Sequence, residues 1–191
     1  MNRELRWRII TLQIIMVIVL GFGAGISFWG SSFTNEQIKS QLEPQKIFFP
    51  TDVSTMPEPE KSALAPYAGQ QVVNGEQAHI FAQSYLGLHL RELADGKVYS
   101  ELSTEARTEK DPALKAQKDA LVQTAFRGET LRSMLNQAWA FSIFGTVALY
   151  ASYGLMLATL VVAGALVFEL FFAQKPVVQP ARNTSTVTSA L

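Results

Sequence analysis

Two stretches of this chain carry no charged side chain: the 27 residues Ile9–Asn35 and the 36 residues Ser133–Phe168. Each exceeds the ~20 apolar residues that cross a bilayer as a helix. Between them lies a mixed-charge segment of about one small domain or less. The pattern predicts an all-α fold: a helical membrane hairpin of two transmembrane helices with a small α-helical extracytoplasmic domain. The divisions read from it are a basic cytoplasmic N-terminus (1–8), a first span (9–29), an extracytoplasmic helical domain (30–137) with a Pro-rich irregular segment (44–66), a second span (138–172) and a disordered cytoplasmic tail (173–191).

Orientation follows from Arg3, Arg6 and Arg8, which stand against Glu4 alone just before the first apolar run. Basic flanks stay cytoplasmic, so both termini are expected on the cytoplasmic side of the cell (inner) membrane. A cleaved signal peptide is the rival reading, since the basic start, apolar core and small residues Gly23 and Gly25 fit one. The apolar run continues through Ile26, Phe28 and Trp29, which favours an uncleaved anchor. In the second segment, Leu131, Met134, Leu135 and Ala138 follow helical spacing, so its helix is expected to begin in the aqueous domain. The spanning part is placed at about Ile143–Phe168. Glu169 reads as an interfacial carboxylate at the exit, with an intramembrane functional acid as the alternative. The tail from Pro176, with the sequon Asn183-Thr184-Ser185, is expected to be unstructured and, being cytoplasmic, unglycosylated.

Small residues mark candidate helix-packing positions. Gly21 and Gly25 form a GxxxG, and Ala148, Ser152, Gly154 and Ala158 give small-xxx-small pairs in the second span. Such spacing lets helix backbones approach closely in lipid, here most naturally between the chain's own two spans. Contact with a second copy or with another subunit uses the same chemistry.

The formal net charge is zero, from 16 basic and 16 acidic residues. This leaves no electrostatic footprint for nucleic acid. Cysteine is absent, which removes disulfides, thiolate zinc sites and iron–sulfur clusters from consideration. Residues 30–137 hold 14 acidic and 11 basic side chains, a net of −3. Within them Ile47, Phe48 and Phe49 form an aromatic run between prolines, and its exposure in water is unfavourable. Packing on the domain is expected; a partner's groove or the lipid surface are the other fates, which makes these three the candidate partner contacts.

The clearest soluble helix is expected over 75–94, with Asn74 as N-cap, Gln77 in the capping-box position and Gly96 beyond its end. Helical spacing puts Ala78, Phe81, Ala82, Tyr85, His89 and Leu93 on one apolar face. His79 and His89 lie ten residues apart, ~15 Å along the axis, too far to share a metal. His89 is expected as a core histidine. Val98–Arg107 reads as a short helix, and Asp111-Pro112 as the cap and first residue of a long one. There Leu114, Leu121, Val122, Ala125 and Phe126 form the apolar side, Lys115, Lys118 and Asp119 a solvated face, and Gly128 a candidate kink. No cofactor, metal ligand set or catalytic motif is expected.

Pro44–Pro50, Tyr67–Val72, the helix reaching His89-Leu90, Lys97–Glu101 and Phe126–Arg132 together resemble a group of uncharacterised two-span bacterial membrane proteins of actinobacterial type. The resemblance runs from Gln45 to about Gly154. It implies two spans and an external helical segment in an actinobacterial-type envelope, and carries no activity with it. The expected function is that of a non-enzymatic accessory or scaffolding subunit whose partners are the lipid bilayer and other membrane subunits, or itself. A ligand-sensing or signal-relaying module is the alternative. A membrane enzyme has less behind it, for want of a metal cluster, a nucleophile motif or paired acids, and a channel needs oligomerisation and has only Ser142, Thr146, Ser152 and Thr159 as polar pore residues.

Overall fold

The computed structural model describes residues 3–171, and its regular elements there are all helical. Helix α1 runs Arg3–Leu42, carrying the first charge-free stretch and Glu36–Leu42 in one element of 40 residues. Four short α-helices come next, α2 (Glu60–Leu64), α3 (Gly75–Ile80), α4 (Gly87–Leu93) and α5 (Tyr99–Thr108), with short 3-10 turns at Glu43–Gln45 and Ala65–Tyr67. Helix α6 then runs Pro112–Phe171, 60 residues without a break. Both α1 and α6 are long and apolar enough to cross a membrane. Two compact units result. Among the described residues the smaller joins 3–23 of α1 to 154–171 of α6, and the larger is Ala24–Tyr153. The tail and its sequon lie outside the described residues.

In the smaller unit the start of α1 meets the end of α6, so the two helices pair antiparallel. Arg6 Nε lies 3.3 Å from Glu169 Oε1, and Arg6 NH2 donates to the Glu169 carbonyl at 2.9 Å. The carboxylate is 16% exposed. Glu169 is therefore paired with a cation, not solvated as its position at the end of an apolar helix suggests.

The larger unit holds two cores. The first gathers Ile38 and Leu42 of α1, Phe49, Leu64, Val72, Ala78, Phe81 and Ala82, and Leu135 of α6. Phe49 is its centre, stacked on Tyr67 at 5.2 Å and edge-on to Phe81 at 5.4 Å. The second joins Ala94, Leu102 and Ala106 to Val122 and Ala125 of α6. Leu114 and Phe126, assigned to the apolar side of that helix, are about half exposed instead. Lys115 donates to the Ala106 carbonyl at 3.1 Å, and Lys118 meets Glu109 at 2.7 Å. Two lysines read as a solvated face thus tie down the C-terminal end of α5, where cations are favoured.

The capping signals hold in detail. Asn74 Oδ1 accepts from the Gln77 N–H at 2.9 Å, and Gln77 Oε1 reaches back to the Val73 N–H, one residue beyond the cap. Asp111 Oδ1 caps α6 through the N–H groups of Ala113 and Leu114. At the end of α4, Gly96 N–H donates to Arg91 O at 2.8 Å and Asp95 N–H to Glu92 O at 3.4 Å. This is a Schellman closure. Its left-handed residue is Asp95 (φ 51°), with Gly96 (φ 76°) after it.

One expectation fails between α3 and α4. The six residues Phe81–Leu86 form a π-helical segment, which inserts an extra residue and rotates the rest of the helix by ~100°. Gly87 and Leu88 turn inward, while His89 and Leu93 are exposed. His89 is no core histidine; its Nδ1 lies 2.8 Å from the Tyr85 carbonyl. Nor does Gly128 interrupt α6. A Cβ there would collide with Leu90, so the glycine admits α4 at close range.

Candidate functional site

The aromatic run is split by an antiparallel bridge between Phe48 and Gln71. Phe49 N–H donates to Gln70 O at 2.9 Å and Val72 N–H to Ile47 O at 2.8 Å. Successive side chains in extended backbone point oppositely. Phe49 accordingly goes into the core at 2% exposure, Ile47 packs partly buried against that core, and Phe48 faces out at 54%. Of the three candidate contacts, Phe48 alone is exposed. Nearby, Tyr67 Oη donates to Glu76 Oε1 at 3.0 Å, and this bond raises the phenol above its usual pKa.

The small residues divide as well. Gly21 faces the Thr159 methyl, and Ser152 is fully buried with Ala148 and Ala158 partly so. Gly25 and Gly154 have nothing within 4 Å of a Cβ placed on them. The close approaches are instead Gly23 on Leu155 in the smaller unit and Gly145 on Thr34 in the larger. Along α1 the covered positions Ile10, Val17, Ala24, Ser31 and Ile38 recur every seven residues. Along α6, Gly145, Ser152 and Thr159 do the same. A heptad repeat keeps a seam facing its partner in antiparallel or parallel pairs. The repeat of seven was the available signal, and the spacing of four obscured it.

A polar cluster sits where the end of α3 and the π segment face α6. The His79 ring stacks on Trp139, centroids 4.0 Å apart and 20° from parallel. Its Nδ1 lies 3.1 Å from Asn136 Oδ1, which also accepts from Gln83 Nε2 at 3.2 Å. The shared acceptor assigns the proton to Nδ1 of His79. Arg132 NH2 donates to Gln83 Oε1 at 2.7 Å, and its NH1 lies 3.5 Å from Glu129. A Cβ placed on Gly87 would lie 3.5 Å from Arg91 NH1 and 3.8 Å from Arg132 Cζ, so two guanidinium groups flank one glycine. Arg91 is held by Glu60 at 2.6 Å. The sequence marks His79 and the aromatic Trp139, whereas Gln83, Arg132 and Asn136 are common residue types, and Gln83 meets the other two from 49 and 53 positions away. Among the described residues no group of three His, Asp or Glu side chains is placed to hold a metal ion. An open hollow on α5 is lined by Ser100, Glu101, Thr104 and Glu105 from one helix face.

Comparison with family profiles, curated proteins and solved structures finds no match to this chain.

Proposed function

We propose that this protein is a non-enzymatic integral membrane protein, an accessory or scaffolding subunit that displays a small helical domain outside the cell membrane. The supporting observation is the apolar surface left uncovered along α1 and α6. Phe22, Trp29, Phe144, Leu157 and Leu160 are each more than 60% exposed, an arrangement suited to lipid and costly in water. The larger unit has its own cores, yet Phe48, Phe126 and Met134 remain exposed on it. Apolar side chains of this kind suit a protein partner. A signal-relaying module is the second reading, favoured by the continuity of α6.

The deciding experiment is purification of the tagged full chain in mild detergent from its native membrane. A stoichiometric co-migrating membrane partner is expected, and Phe48→Ser is expected to weaken its recovery at least several-fold. A lone monomer in every mild detergent overturns the subunit reading.

A further inference from the structure

We propose that Arg132 and Arg91, with the Trp139 strip below them on α6, form a binding site for the headgroup of an anionic phospholipid. The site rests on the membrane reading above.

Three observations converge on it. The first is an under-satisfied cation. Arg132 offers five N–H donors, but its bonds are one to Gln83 and a long one to Glu129, and its Nε is buried without an acceptor. The second is the pairing of two guanidinium groups across Gly87, a position without a side chain to separate them. Arginine forks match phosphate oxygens in two-point contacts. Two carboxylates face this pair. Glu60 occupies one edge of Arg91, and Glu129 is half exposed and only 3.5 Å from Arg132, so it can swing aside. The third is position. Arg132 is the last charged residue before the charge-free run of 36. Two turns further on, Trp139 is partly exposed on the side that carries His79. Ile143 and Tyr150 continue that line at helical spacing, both exposed. A polar cluster above an aromatic and aliphatic strip reproduces the order of a phospholipid, phosphate above acyl chain.

An anion that is only soluble would use the arginines and ignore the strip. The continuity of donors with apolar side chains is what selects a lipid. His79 and Asn136 act as positioning residues, since the stack on His79 fixes the Trp139 ring at the junction.

The test uses the full chain carrying Trp7→Phe and Trp29→Phe, so that Trp139 is the sole tryptophan. It is reconstituted in phosphatidylcholine vesicles containing brominated phosphatidylglycerol or, separately, brominated phosphatidylcholine. Trp139 is expected to be quenched by the anionic lipid at a mole fraction at least threefold lower than by the zwitterionic one. Arg132→Gln is expected to abolish that preference, and Arg91→Gln to reduce it, with helical content by circular dichroism unchanged. Arg132→Lys keeps the charge, provides a second variant should Arg132→Gln misfold, and is expected to retain part of the preference. Equal quenching by the two lipids overturns the lipid site while leaving the membrane reading intact. No quenching by either overturns both. Loss of the preference on adding 10-fold excess inorganic phosphate over lipid also overturns the site, because it shows an anion pocket indifferent to the acyl chain.

Discussion

Glycine separates the close approaches that matter in this chain from those that do not. Gly75 opens α3 directly against α6. A Cβ on it would overlap the Ser142 side chain and approach the Ala138 carbonyl to 3.1 Å. Neither obstacle is the far end of a flexible side chain, so the start of α3 must lift away, and Asn74 with its cap bond to Gln77 moves with it. Gly154 has empty space at the same distance. Gly75→Ala is therefore expected to destabilise by about 1–3 kcal/mol, the usual range for overpacking. Gly154→Ala is expected to be neutral or to stabilise by up to about 1 kcal/mol through helix propensity. Thermal unfolding in one detergent, followed by circular dichroism, compares them, and equal melting temperatures would sink the distinction. Gly128 falls between the two, because the atom it meets belongs to Leu90, whose side chain can turn.

At the scale of elements, the connection between α5 and α6 is electrostatic as well as apolar. Lys118 holds the Glu109 carboxyl below its ordinary pKa of 4.5, and Lys97 does the same to Glu105. A carboxyl depressed in the fold stabilises it above the unfolded pKa, and that contribution is lost as pH falls through the folded value. Amide protection in α5, corrected for intrinsic exchange, is thus expected to be flat from pH 7 to 5 and to fall below about pH 4.5. In Lys97→Ala with Lys118→Ala the fall should largely disappear. An unchanged acid transition in that double variant means other groups govern the opening of α5. These lysines also show how far the sequence could be read. Signals confined to a few neighbouring residues were legible: Asn74 with Gln77, Asp111 with Pro112, and the two charge-free stretches all lie where their local chemistry puts them. Contacts across the fold were not. Lys115 and Lys118 looked like a solvated face because the carbonyl of Ala106 and the carboxylate of Glu109 reach them only after the chain turns back. The π segment was invisible for a different reason. A constant 100° step over Gly75–Ala94 takes no account of the inserted residue at Phe81–Leu86, which moves His89 from the expected core to the surface. The candidate polar cluster depends on contacts across the fold, which is why Gln83, Arg132 and Asn136 carry no signal of it in the sequence.

For the whole molecule, the proposed membrane layout is tested by which side each part occupies. The Arg6–Glu169 pair joins the first turns of α1 to the last turns of α6 within the smaller unit, so the proposed layout puts those two ends on one side. The same pair weakens the orientation signal it accompanies. With Arg6 neutralised by Glu169, the local excess rests on Arg3 and Arg8 against Glu4, supported in the sequence by Lys175 and Arg182 after the second span. The positive-inside rule counts such residues close to the span ends, and under the proposed layout it still puts both on the cytoplasmic side. The absence of cysteine makes the layout testable without background labelling. A single cysteine at Ser100, an exposed position in the larger unit, is expected to react with a membrane-impermeant maleimide in intact cells whose outer barrier has been opened. A single cysteine at Asn2 is expected to react only after the inner membrane is permeabilised. Exchange of the two outcomes inverts the topology, and protection of both until lysis removes the extracytoplasmic domain altogether. Replacing Arg3 and Arg8 by glutamate should yield a mixed population labelled at both sites, whereas Arg6→Gln alone should leave the pattern unchanged, since its charge is already taken up by Glu169.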